Sequence, residues 1–156
     1  MARTEYYNDP QAPKPNSLVV AASAVVVDEA GRILLQRRRD SGNYALPGGV
    51  MDLGESLPQT AVREVREETG LDVEITGLVG TYTDPGHVIA YTDGEVRQQF
   101  NVCFTARAVG GSLAISDEST DLRFVAPTQL DTLPIHHTQR LRLTHFLEHR
   151  ERPYLG

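Results

Sequence analysis

Residues 48–71 read GGVMDLGESLPQTAVREVREETGL, a loop that runs into one amphipathic helix. Ser56 suits the N-cap, and Gln59 three residues later completes a capping box. Pro58 falls in the first turn, where a missing N–H removes no helical hydrogen bond. Gly70 follows the last helical residues and can take the left-handed conformation that ends a helix. The helix is therefore bounded at both ends by residues suited to those positions.

Three carboxylates lie on it: Glu64, Glu67 and Glu68. At about 100° per residue they share an arc of roughly 100°. Leu57, Ala61, Val62 and Val65 make the apolar side. On the wheel Glu68 falls between Leu57 and Ala61, and Glu64 lies only about 20° outside Leu57. A solvated acidic face would point away from the apolar stripe, whereas two of these acids share its edge. Like charges gathered at an apolar surface repel one another and lose hydration. A hard divalent cation with oxygen ligands relieves both problems. Taken alone, the helix also reads as an ordinary charged one with ion pairs such as Arg63–Glu67.

The residues around the acids narrow the choice. The pattern is Gly, five residues, Glu, seven residues, Arg-Glu, apolar, any, Glu-Glu, any, Gly, apolar. Gly49, Glu55, Arg63, Glu64, Val65, Glu67, Glu68, Gly70 and Leu71 fill it without departure. At average composition such a match arises by chance about once in a million such chains. It resembles the signature of the Nudix hydrolases.

That resemblance implies an α/β fold, an α/β/α sandwich with a mixed β-sheet. It also implies Mg²⁺- or Mn²⁺-dependent hydrolysis of a diphosphate bond. The substrate would be a nucleoside diphosphate linked to another moiety, as in ADP-ribose, or a nucleoside triphosphate. By the same resemblance Glu64, Glu67 and Glu68 are metal ligands, and the Gly48 carbonyl can add another. Arg63 would orient a carboxylate, with Glu55 or Glu67 as its partner, and Glu55 would support the loop. The general base is either a Glu of the helix or an acid on a separate loop. Glu118, and after it Asp117, stand in SDEST, which also reads as a solvated turn. A nucleotide-sensing module of the same fold is the alternative, although such modules would be expected to lack one or more of these acids. An isoprenyl diphosphate isomerase would need a reactive Cys, and Cys103 sits in an apolar run where a packed core thiol is expected.

The other site candidates lie on either side of the signature. Arg37, Arg38 and Arg39 leave a strand beside the next loop, and Arg37 or Arg39 is the candidate for a substrate phosphate. Tyr44 opens the short strand that leads into the glycines and, with Arg97, Gln99 and Phe100, is a candidate for lining a nucleotide pocket. His87, His136 and His137 can bind substrate or act as bases, or can be exposed or capping residues.

Length and composition fit this reading. A chain of 156 residues can bury a single-domain core, and 40% hydrophobic with 23% charged residues describes a globular protein. A net charge of −6 argues against a wide grip on a nucleic acid polymer. A small phosphate ligand needs only local cations or a metal. No apolar run approaches the length of a membrane span, and no signal-peptide pattern opens the chain, so the expected location is cytoplasmic.

Residues 1–16 carry Pro10, Pro13 and Pro15 and read as an extended arm, with residues 17–156 forming the hydrolase domain. Tyr6 and Tyr7 can dock on the domain or on a partner subunit, so a homodimer is one expectation. SLVVAASAVVVD at 17–28 has the β-branched content of a central strand, and residues 33–37 restart a strand to form a hairpin with it. Asp93-Gly94 marks a second hairpin. Residues 127–133 predict a short helical turn, and residues 138–149 a final helix with Leu141, Leu143 and Phe146 inward.

Overall fold

Alternation along the strands divides the core in two. The computed structural model describes residues 2–156. Its main sheet joins β3 (Ala21–Val26), β6 (Gly48–Val50), β7 (Leu71–Tyr82), β10 (Asn101–Gly111) and β12 (Tyr154–Leu155), in the order β12-β7-β10-β3-β6. The sheet is mixed: β10 runs parallel to β3 and antiparallel to β7. Ala22, Ala24, Val26, Val73, Phe104 and Ala106 point to one face, where they pack with Ala61 and Val65 of α1 (Leu57–Thr69). Val25, Val79, Tyr82 and Cys103 point to the other, where they meet Leu143 of α2 (His137–Leu147) and Leu130 of the 3₁₀ turn Pro127–Thr132. Successive strand side chains face opposite ways, so one stretch of β-branched residues feeds both layers. The result is the expected α/β/α sandwich.

Two smaller sheets flank it. One pairs β4 (Ile33–Arg38) with β5 (Tyr44–Ala45) and β11 (Ser119–Val125). The other runs β1-β8-β9-β2, from β1 (Arg3–Tyr7), β8 (His87–Tyr91), β9 (Val96–Gln98) and β2 (Ser17–Leu18). The expected hairpin of residues 17–28 with 33–37 is corrected here. Val27, just after β3, makes a single bridge with Ile33, and β3 and β4 belong to different sheets. Both strands are buried along most of their length and need neighbours on two sides. The Asp93-Gly94 hairpin forms between β8 and β9, with Gly94 at φ 94°. The chain then breaks at Gln99–Phe100 and continues in the main sheet as β10.

The helix bounds follow the sequence closely. The Ser56–Gln59 capping box is present, and Gly70 closes α1 at φ 78°, its N–H donating to the Arg66 carbonyl. In α2 the expected inward face is corrected at one position. Leu143 is buried and Phe146 packs against the core, but Leu141 is 43% exposed. Its place inside is taken by Arg142 and His145.

Part of the arm, residues 3–7, is a strand. β1 pairs antiparallel with β8, and Tyr7 stacks on His87 with ring centres 4.5 Å apart. The same ring meets the edge of His137 at 4.3 Å. Glu5, on the same strand, accepts from His87 Nε2 at 3.1 Å. Among the described residues no helix is long and apolar enough to cross a membrane.

Candidate active site

The three acids of α1 stand in different surroundings. Glu68 is only 6% exposed, because it faces the sheet between apolar neighbours. Its Oε2 accepts from the Gly48 N–H at 3.1 Å and from Gln36 Nε2 at 2.5 Å. Burial pushes its carboxyl up to about 7, against those two hydrogen bonds, and the charges of Glu64 and Glu118 push the same way. Glu64 is also largely buried, and desolvation raises it above the usual carboxylate range, with Glu67 and Glu118 adding to the effect. Glu67 is 59% exposed at its side chain.

Arg63 ties the signature together. Its guanidinium bonds Glu55 at both oxygens, Glu64 at 2.9 Å, Glu67 at 3.1 Å and the Val50 carbonyl at 3.0 Å. The Arg63 contact holds the Glu55 carboxyl down at about 2. Glu55 in turn accepts from the Asp52 N–H at 3.0 Å and Thr60 Oγ1 at 2.8 Å, which fastens the loop to the start of α1.

Residues from distant strands complete the corner. Glu118 lies just before β11, and its charge acts on Glu64, Glu68 and Arg38. Ser119 Oγ donates to Gln36 Oε1 at 2.7 Å, so a buried chain runs from Ser119 through Gln36 to Glu68. Arg39 holds the same loop by donating to the carbonyls of Asp117 at 2.9 Å and Ser119 at 3.2 Å. Arg37 donates to the Gly42 carbonyl at 2.9 Å. The middle arginine, Arg38, lines a cleft of about 440 Å³ and pairs with Asp40 at 2.8 Å.

Gly48 and Gly49, Tyr44, Asn101, Arg97 and the arm residues Arg3 and Glu5 all line that cleft. Tyr44 is buried. Its hydroxyl donates to Asp121 at 2.6 Å and accepts from Arg123 at 2.8 Å. Gln99 and Phe100, at the break between β9 and β10, line the cleft, as do His87 and His136. His136 also caps α2 by accepting from the Thr138 N–H.

The model of the NUDIX domain matches residues 17–146, from β2 through α2. The chain belongs to the Nudix family. A MutT-like protein of Streptomyces ambofaciens is 39% identical over 127 residues, 80% of this chain and 75% of that protein. An ADP-ribose pyrophosphatase of Methanocaldococcus jannaschii is 30% identical over 125 residues, 75% of this chain and 68% of its own. Among solved structures, an ADP-ribose pyrophosphatase of Streptococcus suis superimposes with a TM-score of 0.64 at 25% identity, covering 88% of this chain and 96% of that one.

A divalent cation suits the donors of this Nudix site. Both hydrogen bonds to Glu68 fall on Oε2, and among the described residues none reaches Oε1. A buried and a half-buried carboxylate, both with raised pKa, and a third charge from Glu118, lack a compensating cation beyond Arg63 and Arg38. Among the described residues no three acids or histidines converge into a ready cage, since Arg63 holds Glu64 and Glu67 while Gln36 and Gly48 hold Glu68. The contact from Gly48 to the acids is through its N–H.

Sequence reading missed Gln36 and Ser119. Gln36 interrupts the apolar run ILLQRR at a buried position, and a polar residue there was the available signal.

Proposed function

We propose that this Nudix chain hydrolyses a diphosphate bond in a nucleoside diphosphate linked to another moiety, of the ADP-ribose kind, or in a nucleoside triphosphate. The observation that carries this reading is Glu68, a buried carboxylate with one oxygen fixed by Gly48 and Gln36 and the other free of hydrogen bonds. The names of the relatives point to the same class of reaction. In this reading Glu64, Glu67, Glu68 and the Gly48 carbonyl would hold Mg²⁺ or Mn²⁺. The bound cation would supply charge neutralisation on the diphosphate and a more acidic water.

The protein's own residues do the positioning. Arg63 holds Glu64 and Glu67 at fixed places and keeps Glu55 on the loop. Gln36, itself fixed by Ser119, keeps Glu68 facing the glycines. Glu118, whose charge acts on Glu64 and Glu68, would take the proton of the attacking water on its carboxylate, the alternative base being a Glu of α1. Arg39 sets that loop by gripping the carbonyls on either side of Glu118. Tyr44 and Arg38 line the cleft on the substrate side, whereas Arg37 and Arg39, the arginines expected to meet a substrate phosphate, are not among its lining and donate to the carbonyls of Gly42, Asp117 and Ser119.

The test is a turnover screen of ADP-ribose, other nucleoside diphosphate derivatives and nucleoside triphosphates, with product release followed under Mg²⁺ or Mn²⁺. Cleavage of one class is expected, lost in excess chelator and restored by added cation. Tight binding of these nucleotides with no cleavage under either metal would instead identify a sensing module.

A further inference from the structure

Four arginines line the cleft, and three of them are paired with an acid on their own strand or the turn beside it. Arg3 pairs with Glu5 at 3.1 Å, Arg38 with Asp40 at 2.8 Å and Arg97 with Glu95 at 2.6 Å. The fourth, Arg142, sits on the inner face of α2 and is 4% exposed. Among the described residues it has no acidic partner and donates no hydrogen bond. Its Nε is buried and unsatisfied. The nearest compensation is the Tyr82 ring, with the guanidinium carbon 5.4 Å from its centre.

An arginine does not escape burial by losing its proton, so this charge persists in the fold. Desolvation does press its pKa downward, which reflects how poorly the charge is compensated. A face-on aromatic ring returns only part of what a buried guanidinium loses on leaving water. A helix needing an apolar contact at this position would be served better by Leu or Met. Arg142 shares the cleft wall with Leu46, whose N–H is occupied by Gln139, and with Asn101, which accepts from Ser23. Arg142 is itself part of the cleft lining, so a ligand in the cleft can meet its guanidinium.

We propose that Arg142 is an anion-binding residue of the cleft, which receives a phosphate-type oxyanion carried by the molecule that occupies it. The choice of phosphate rests on the diphosphate reading above. The unpaired guanidinium rests on the fold alone. A planar fork of donors suits two oxygens of a phosphate group. The preferred substrates are then those whose diphosphate reaches from the α1 acids into the cleft.

Two measurements, both in EDTA, test this without turnover. The thermal midpoint is followed with inorganic phosphate against chloride of equal ionic strength, and ADP-ribose is titrated by calorimetry. Wild type is expected to gain stability with phosphate, because a ligand bound only to the folded state raises the midpoint. Arg142→Met, which keeps the length and apolar stem, should have an unliganded midpoint at or above wild type, since an uncompensated charge is gone. It should show no phosphate response and bind ADP-ribose at least about tenfold more weakly, the scale of one lost charge-assisted contact. Arg142→Lys should keep part of the response, which covers the case of a Met variant that fails to fold. Phosphate stabilisation of equal size in wild type and Arg142→Met, or no phosphate response in wild type, overturns the proposal. An Arg142-dependent phosphate response in a chain that cleaves no diphosphate would retain the anion site and refute the hydrolytic reading. Cleavage of ADP-ribose with a phosphate response indifferent to Arg142 would do the reverse.

Discussion

The carboxylate of Glu64 lies where a Cβ on Gly49 would project, with 2.5 Å between the nearest atoms. Residue 49 is thus a glycine so that an acid of the helix can lie against the loop. Gly48 next to it is small for another reason: its Cβ would run into the Ala22 carbonyl and meet Ser23 Cα at 2.7 Å. Gly49→Ala displaces the end of a side chain, whereas Gly48→Ala displaces backbone of the central strand. We expect Gly49→Ala to fold and to lose at least about tenfold in rate, since small misplacements of catalytic groups are costly. Gly48→Ala should lose stability, by about 1–3 kcal/mol as for other overpacked sites. Denaturant midpoints alongside specific activity separate the two, and equal stability losses would refute the distinction.

Glu68→Gln keeps the shape and nearly the helix propensity while removing the charge. A rate loss of at least about a hundredfold is expected, the scale of displacing a catalytic metal. Without metal the variant should be as stable as wild type or more so, because a desolvated carboxylate has been neutralised. An unfolded variant that keeps its activity per folded molecule would make this acid structural.

For the base, Glu118→Gln and Glu64→Gln are compared. The first should lower the maximal rate by about 10² to 10⁴, as for loss of a general base, with metal affinity nearly unchanged. The second should disturb both. The acidic limb of the pH–rate profile should change in the Glu118 variant. A nearly silent Glu118→Gln beside a severely impaired Glu64→Gln would move the base into α1.

Acid should loosen the arm. His87 holds the Glu5 carboxyl down at about 2, with Tyr7 and Arg3 helping against burial, whereas an unperturbed Glu has a value of 4.5. A depressed value means that the folded state favours the ionised form, so this contribution is full above about 4.5 and gone below about 2. The stability gap between wild type and Glu5→Gln should be constant near neutrality, shrink as pH falls through that window and vanish near its lower end. Urea midpoints across the range check it, and a gap that persists in strong acid would contradict the linkage.

Local chemistry was readable in the sequence. The caps of α1, its acidic edge and the burial of Cys103 all follow from residues a few positions apart. Partners brought together by folding were not. Gln36 meets Glu68 across 32 positions and Ser119 across 83, and nothing in either local pattern names the other. The hairpin expected at β3 and β4 failed because both strands are buried and a short turn does not say which sheet each joins. Leu141 was misplaced because α2 turns an arginine and a histidine inward, against the ordinary ranking of buried residues.

β12 consists of Tyr154 and Leu155, yet it occupies the outer rim of the main sheet beside Gly80 and Thr81. The Gly156 N–H donates to the Thr81 carbonyl at 3.0 Å, and the Gly156 carbonyl accepts from the Thr83 N–H at 3.1 Å. A bare rim of this kind recruits strands from other molecules. Farther along, Glu74 and Thr76 present a charge and a hydroxyl at exposed or half-exposed positions, which discourages such pairing. Residues 154–156 therefore cover that part of the rim, and replacing Tyr154 and Leu155 with proline, which removes their N–H donors, would bare it to strands of other molecules.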